Sequence, residues 1–119
     1  VRYFVTIAYE PSVWSDASPQ ERNRYHEQHL AFHSAVAERA SLVAGEALAG
    51  TDTATTLRHV DGLPVLTEGP FAETTEVVGG FYLIDAENLD VMTDLCALLP
   101  QPYSLEIRPV VQVEGFESR

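Results

Sequence analysis

Residues 55–71 read TTLRHVDGLPVLTEGPF. Two extended runs, Thr55–Val60 and Leu63–Thr67, flank Asp61-Gly62. An Asp-Gly pair in that setting predicts a two-residue hairpin, because a type I′ turn needs positive φ at both central positions. Gly69-Pro70 then breaks the chain a second time. On either side of this segment the same pattern recurs, strand–helix–strand, so the hairpin reads as an insertion between two halves.

In the first half Val1, Tyr3, Val5, Ile7 and Tyr9 alternate with Arg2, Phe4, Thr6 and Ala8, which predicts a strand over 1–9. Phe4 and Ala8 make its second face partly apolar, so cover is expected on both sides. Residues 10–18 read as a loop. Ser18-Pro19-Gln20-Glu21 is a capping box with proline at the first helical position, and the helix it opens should run to about Ala40. A strand near Leu42–Leu48, interrupted by Gly45, closes this half. In the second half, Val77–Ile84 is a strand entered through Gly79-Gly80, where a bulge or a close backbone approach is expected. Asn88 is placed to cap a helix over Leu89–Leu99, which Pro100 and Pro102 stop. Leu105, Ile107, Pro109, Val111 and Val113 alternate with Glu106, Arg108 and Gln112 in a closing strand, with Pro109 at an edge or bulge.

This order predicts one α+β domain over 1–119: a ferredoxin-like antiparallel sheet, βαβ–hairpin–βαβ, with two helices on one face. A second copy is expected to cover the other face as a C₂ homodimer. The chain carries 7 Lys and Arg against 18 Asp and Glu, a formal net charge of −11. Such a surface repels phosphate backbones and anionic lipid, which argues against nucleic acid or membrane as a partner; its ordinary use is solubility. No apolar run approaches the roughly 18–20 residues of a membrane span, and the N-terminus shows no signal-peptide pattern, so a cytoplasmic location is expected. The single cysteine, Cys96, falls in a helical apolar pattern and reads as a buried, inert thiol.

The ordered set Asp61-Gly62, Thr67-Glu68-Gly69-Pro70-Phe71-Ala72-Glu73-Thr74 and Gly79-Gly80-Phe81-Tyr82-Leu83-Ile84-Asp85 resembles the DGPF segment of the YCII-related (DGPF-domain) family. Gly45-Glu46-Ala47-Leu48 and Glu106-Ile107-Arg108-Pro109-Val110 resemble its flanking strands. Glu68 stands where the family name has Asp, which keeps the carboxylate. The resemblance implies a dimeric ferredoxin-like α/β barrel with a cleft beside each sheet. Related dimeric α/β-barrel families include isomerases, dehydrochlorinases, monooxygenases and haem proteins, and some DGPF proteins are associated with sigma-factor genes. Fold alone therefore names no reaction.

Three of the four histidines, His26, His29 and His33, lie on the first long helix. His29 falls near the middle of the stripe Tyr25, Phe32, Val36, Ala40, with His33 beside it and His26 at the flank. A histidine there must find a hydrogen-bond partner or line a cavity. His29-Leu30-Ala31 also resembles the helix segment of compact YCII proteins, whose His is proposed to pair with an Asp. One reading makes His29 a general acid or base; the other makes it a core histidine bonded to a backbone carbonyl. His26, His29 and His33 span about 60° of the helix, and with Glu46 or Glu68 they are weak candidates for a divalent metal. Ligands at i, i+3 and i+7 of one helix do not readily converge, and the pair His29/His33 is better spaced than the triple, so no metal is predicted beyond these weak candidates; the enzyme reading below needs no organic cofactor. Glu46, Glu68, Tyr82 and Arg108 are the candidate substrate-binding residues, expected near the cleft from strands or strand ends. Arg108 could hold a carboxylate bidentately, or form a salt bridge with Glu46 or Glu68. Phe71 reads as a hydrophobic anchor that fixes its loop, within the chain or against a partner subunit, and His59 as a solvent-facing residue. No phosphate-loop motif or nucleophile elbow is present. Two functions remain open: a cofactor-free enzyme moving a proton on a small organic molecule, as an isomerase or lyase does, or a non-catalytic ligand-binding or protein-interaction domain linked to transcription regulation.

Overall fold

The computed structural model describes residues 1–116. Six strands form: β1 (Arg2–Tyr9), β2 (Ser41–Ala47), β3 (Thr55–Val60), β4 (Leu63–Glu68), β5 (Val77–Asp85) and β6 (Ser104–Pro109). Three helices accompany them: α1 (Ser12–Ser15), α2 (Pro19–Arg39) and α3 (Leu89–Cys96). Strands β2-β5-β1-β6 make one antiparallel sheet in that order, while β3 and β4 pair only with each other. With the hairpin set aside, this is the split βαβ arrangement of the ferredoxin-like fold.

Local chemistry accounts for the element ends. Ser18 Oγ accepts from the Glu21 N–H at 3.1 Å, and Glu21 Oε1 accepts from the Ser18 N–H at 3.1 Å, closing the capping box on α2. Asn88 Oδ1 accepts from the Val91 N–H at 3.0 Å and starts α3. Asp61 and Gly62 have φ of 52° and 80°, the positive values the hairpin turn requires.

Register sorts the sheet into two faces. Tyr3, Val5 and Ile7 of β1 share theirs with Ile84, Tyr82 and Gly80 of β5, and with Phe32, Val36, Met92 and Leu95 from the helices they make the core. Cys96 lies in that core as expected, and burial pushes its thiol up to about 11. The other face carries Phe4 stacked on Phe81 at a ring separation of 5.3 Å, and no element of the described residues packs over it.

Four expectations need correction. Residues 10–18 are not all loop: one helical turn, α1, holds Trp14. Helix α3 ends at Cys96 rather than Leu99, four residues before Pro100. The closing strand stops at Pro109 instead of reaching Val113. Tyr3 pairs with Pro109, and the Val110 N–H reaches the Arg2 carbonyl at 2.7 Å. By residue 112 the antiparallel neighbour has run out. Finally, Phe71 does not anchor its loop within the chain, being 77% exposed. Hydrogen bonds hold that loop instead: the Gly69 N–H donates to the Ala54 carbonyl, and Thr56 Oγ1 and the Arg58 guanidinium donate to the Gly69 and Phe71 carbonyls.

The hairpin stands apart from the main sheet, with every residue of β4 exposed. The radius of gyration, 16.6 Å, accordingly exceeds the ~13.5 Å of a compact chain this long. Phe32 is fully buried between α2 and Tyr82. Its replacement by Ala is expected to lower unfolding free energy by about 3–5 kcal/mol, and Ser18→Ala by about 1 kcal/mol, both measured by denaturant unfolding.

Candidate functional site

Where α2 crosses the ends of β1, β2 and β5, the sheet carries glycine at three positions, Gly45, Gly79 and Gly80, and a cavity of about 360 Å³ opens above them. The glycines are spatially required. A Cβ at Gly45 would sit 2.5 Å from Cδ1 of Tyr82, and one at Gly79 would overlap the Tyr9 ring. Each therefore lets an aromatic ring lie flat on the sheet backbone. The Gly79-Gly80 pair also carries the β1–β5 register shift, between Ile7 and Ala8.

Tyrosine and histidine dominate the polar lining. His29 is flanked on both ring nitrogens: Nδ1 lies 2.8 Å from the Tyr82 hydroxyl and Nε2 lies 3.0 Å from the Tyr103 hydroxyl. The Tyr82 hydroxyl is also 3.1 Å from Nε2 of His33. Tyr103, His29, Tyr82 and His33 thus form one continuous chain of hydrogen bonds, running from the cavity to an exposed imidazole on α2. Tyr9 stacks on Tyr103 at 5.2 Å, and Trp14 closes the side wall against Tyr25 and His26.

The electrostatics favour neutral groups throughout. Burial lowers the His29 pKa, and the neighbouring His33 and His26 lower it further. Burial raises the hydroxyls of Tyr9 and Tyr82 and pushes Tyr103 up to about 12. Near neutrality these side chains are an uncharged imidazole among uncharged phenols.

Of the residues singled out from sequence, His29 and Tyr82 meet directly. The purely structural alternative for His29, a bond to a backbone carbonyl, is not what forms. His33 joins through Tyr82, while His26 borders the cavity beside Trp14. The helix histidines do not converge as metal ligands. Among the described residues no three His, Cys, Asp or Glu side chains are grouped to hold an ion. Glu46 borders the cavity, but its register with Phe81 puts its side chain on the open sheet face. Arg108 pairs with Phe4 on that same face, and Glu68 is exposed at the end of the isolated hairpin. Neither lines the cavity, and among the described residues of one chain Arg108 forms no salt bridge with Glu46 or Glu68. His59 is exposed, as expected.

Three lining residues escaped the sequence reading. Tyr9 was recoverable, since strand parity puts it on the face of Ile7. Trp14 and Tyr103 sit in segments without periodicity, and nothing local links them to the helix.

Comparison with known proteins agrees over nearly the full length. Residues 1–114 match the family model of the YCII-related domain. An uncharacterized protein of Rhizobium meliloti (strain 1021) is 38% identical over 112 residues, covering 91% of this chain and 90% of that protein.

Because the His29 pKa is depressed in the folded protein, the unfolded chain binds the extra proton first as pH falls. The stability that His29 contributes as a neutral group is then present in full above its ordinary value of 6.5. It declines between there and the lower folded value. Thermal unfolding from pH 8 to 5 is expected to show this decline, and His29→Gln to flatten it.

Proposed function

The chain belongs to the YCII-related domain family, and on that premise we propose that it is a cofactor-free enzyme that moves a proton on a small organic molecule bound beside His29. The single observation that carries this is the His29 imidazole, kept neutral by burial and hydrogen-bonded at both nitrogens to tyrosines of the cavity. A histidine with a depressed pKa is available as a neutral donor–acceptor at physiological pH, the form that proton transfer uses. Perturbed titratable groups converging on a concave, largely apolar pocket are the usual mark of an active site. Isomerisation and elimination are the reaction types that need no more than this.

The working unit in this reading is a homodimer. Phe4, Phe81 and Leu83 lie on the open face of the sheet, and an antiparallel sheet with an apolar second face needs a cover. A cytoplasmic setting accompanies this reading, with the lone thiol of Cys96 buried and unpaired. No helix among the described residues is long and apolar enough to cross a membrane.

The catalytic reading predicts that the purified protein washes solvent deuterium from D₂O into the α-carbons of simple carbonyl probes such as cyclohexanone and cyclohex-2-enone. His29→Gln should reduce that rate by about 10²-fold or more with unchanged circular dichroism. Saturable binding of these probes without any deuterium incorporation would instead identify a ligand-binding domain. For the dimer, light scattering is expected to return twice the chain mass, and Phe4→Asp to return the monomer. A monomeric wild-type protein would sink the shared-sheet arrangement.

A further inference from the structure

We propose that the cavity takes an uncharged molecule through a carbonyl or hydroxyl oxygen bonded to Tyr103, and that Tyr103, not His29, is the group that exchanges a proton with it. His29, Tyr82 and His33 then connect that proton to solvent. The relay rests on the proton-transfer reading above, whereas the ligand class stands on the cavity lining alone.

Hydrogen-bond capacity excludes His29 as the group in contact. A neutral imidazole has one donor and one acceptor nitrogen, and both face tyrosine hydroxyls at 2.8 and 3.0 Å. To reach a ligand, His29 would have to break one of these bonds inside a half-buried site. The Tyr82 hydroxyl is likewise taken, by His29 on one side and His33 on the other, and Tyr82 is only 7% exposed. Tyr103 differs. A phenol offers one proton and two lone pairs; His29 takes one position and the Trp14 indole N–H a second, which leaves one free on a hydroxyl that lines the cavity.

The chain has two self-consistent directions. In one, Tyr103 donates to His29 Nε2, His29 Nδ1 donates to Tyr82, and Tyr82 donates to His33 Nε2. In the other every bond is reversed, and the Tyr103 O–H points at the cavity. Taking a proton from the ligand converts the first into the second. The ligand–H bond breaks and its proton joins the Tyr103 oxygen, while the proton Tyr103 held passes to His29 Nε2. The Nδ1 proton of His29 passes to Tyr82, the Tyr82 proton to His33 Nε2, and the Nδ1 proton of His33 to water. The electron pair stays on the ligand as a transient enolate to which the Tyr103 O–H donates, and the reverse sequence reprotonates the ligand at a second atom, so that no anion remains bound. At either end of the transfer Tyr103, His29 and Tyr82 are neutral, so no tyrosinate or imidazolium has to persist in the buried stretch, where either would be heavily penalised.

The ligand class follows from what the lining lacks. No arginine lines the cavity, and the chain contains no lysine. A carboxylate or phosphate would shed its hydration there without a countercharge, in a protein of formal charge −11. What the walls offer is aromatic surface from Tyr9, Trp14 and Tyr103 and neutral donors and acceptors. A volume of about 360 Å³ suits a molecule built on one ring.

Benzamide and benzoate test this, being nearly isosteric, different in charge, and free of any acidic carbon that could turn over. With the full chain observed by ¹⁵N resonances of its imidazoles, benzamide is expected to shift His29 and His33 saturably, and benzoate to bind at least about tenfold more weakly. Tyr103→Phe should weaken benzamide about tenfold, on the order of one hydrogen bond between uncharged groups. Tyr82→Phe should abolish the response of His33, by removing the bridging hydroxyl, while the response of His29 remains. Benzoate binding as tightly as benzamide, or benzamide failing to bind the folded protein, would overturn the ligand class. A His33 response that persists in Tyr82→Phe would overturn the relay. Deuterium wash-in is a separate readout: its absence alongside normal benzamide binding would remove the enzymatic reading and leave the ligand class standing.

Discussion

The Tyr82 hydroxyl is the point on which the site turns. Its ring lies in the core, against Phe32 at 4.7 Å and over the backbone at Gly45, so the hydroxyl emerges where water is scarce and must be satisfied by protein. Two imidazoles on successive turns of α2, His29 and His33, meet that need. Once they do, the rotation of α2 against the sheet is tied to β5. The remaining nitrogen of His29 is directed at Tyr103, and a chain of neutral hydrogen bonds spans the cavity wall. Removing side chains from the sheet at Gly45 and Gly79 is what makes room for this, at the expense of strand propensity.

The same constraint separates the molecule into two surfaces with different duties. The helix-covered face of the sheet, at its glycine end, holds the cavity and the hydrogen-bonded chain of Tyr103, His29, Tyr82 and His33. The open face holds the Phe4–Phe81 stack, Glu46 and Arg108, and has no cover of its own. Two charged candidates for substrate binding, Glu46 and Arg108, thus fall on the open face and not in the cavity wall. The tyrosines Tyr9, Tyr82 and Tyr103 fall on the side that holds the cavity.

Much of the fold was legible from local signals. The capping box at Ser18–Glu21, the Asn88 cap, the Asp61-Gly62 turn and the parity of β1 each act over a few residues, and each forms as its chemistry requires. Where the reading missed, longer-range terms decided. The closing strand ended early because its partner strand ended, not because its own alternation failed. Trp14 gained a helical turn in a segment with no periodicity to announce it. Glu68 and Arg108 carry suitable chemistry, and nothing in their neighbours in sequence says which face or which sheet they will occupy.

By itself, the sequence determined the architecture and the presence of His29 in an apolar stripe, because turn, cap and alternation are short-range properties of the chain. Only the tertiary structure decided what His29 touches. Tyr82 lies 53 residues away and Tyr103 lies 74 residues away, and no periodicity spans such distances. Their hydroxyls meet the imidazole because the strand order β2-β5-β1-β6 brings β5 and the start of β6 under α2, and because glycine leaves space for the rings to arrive.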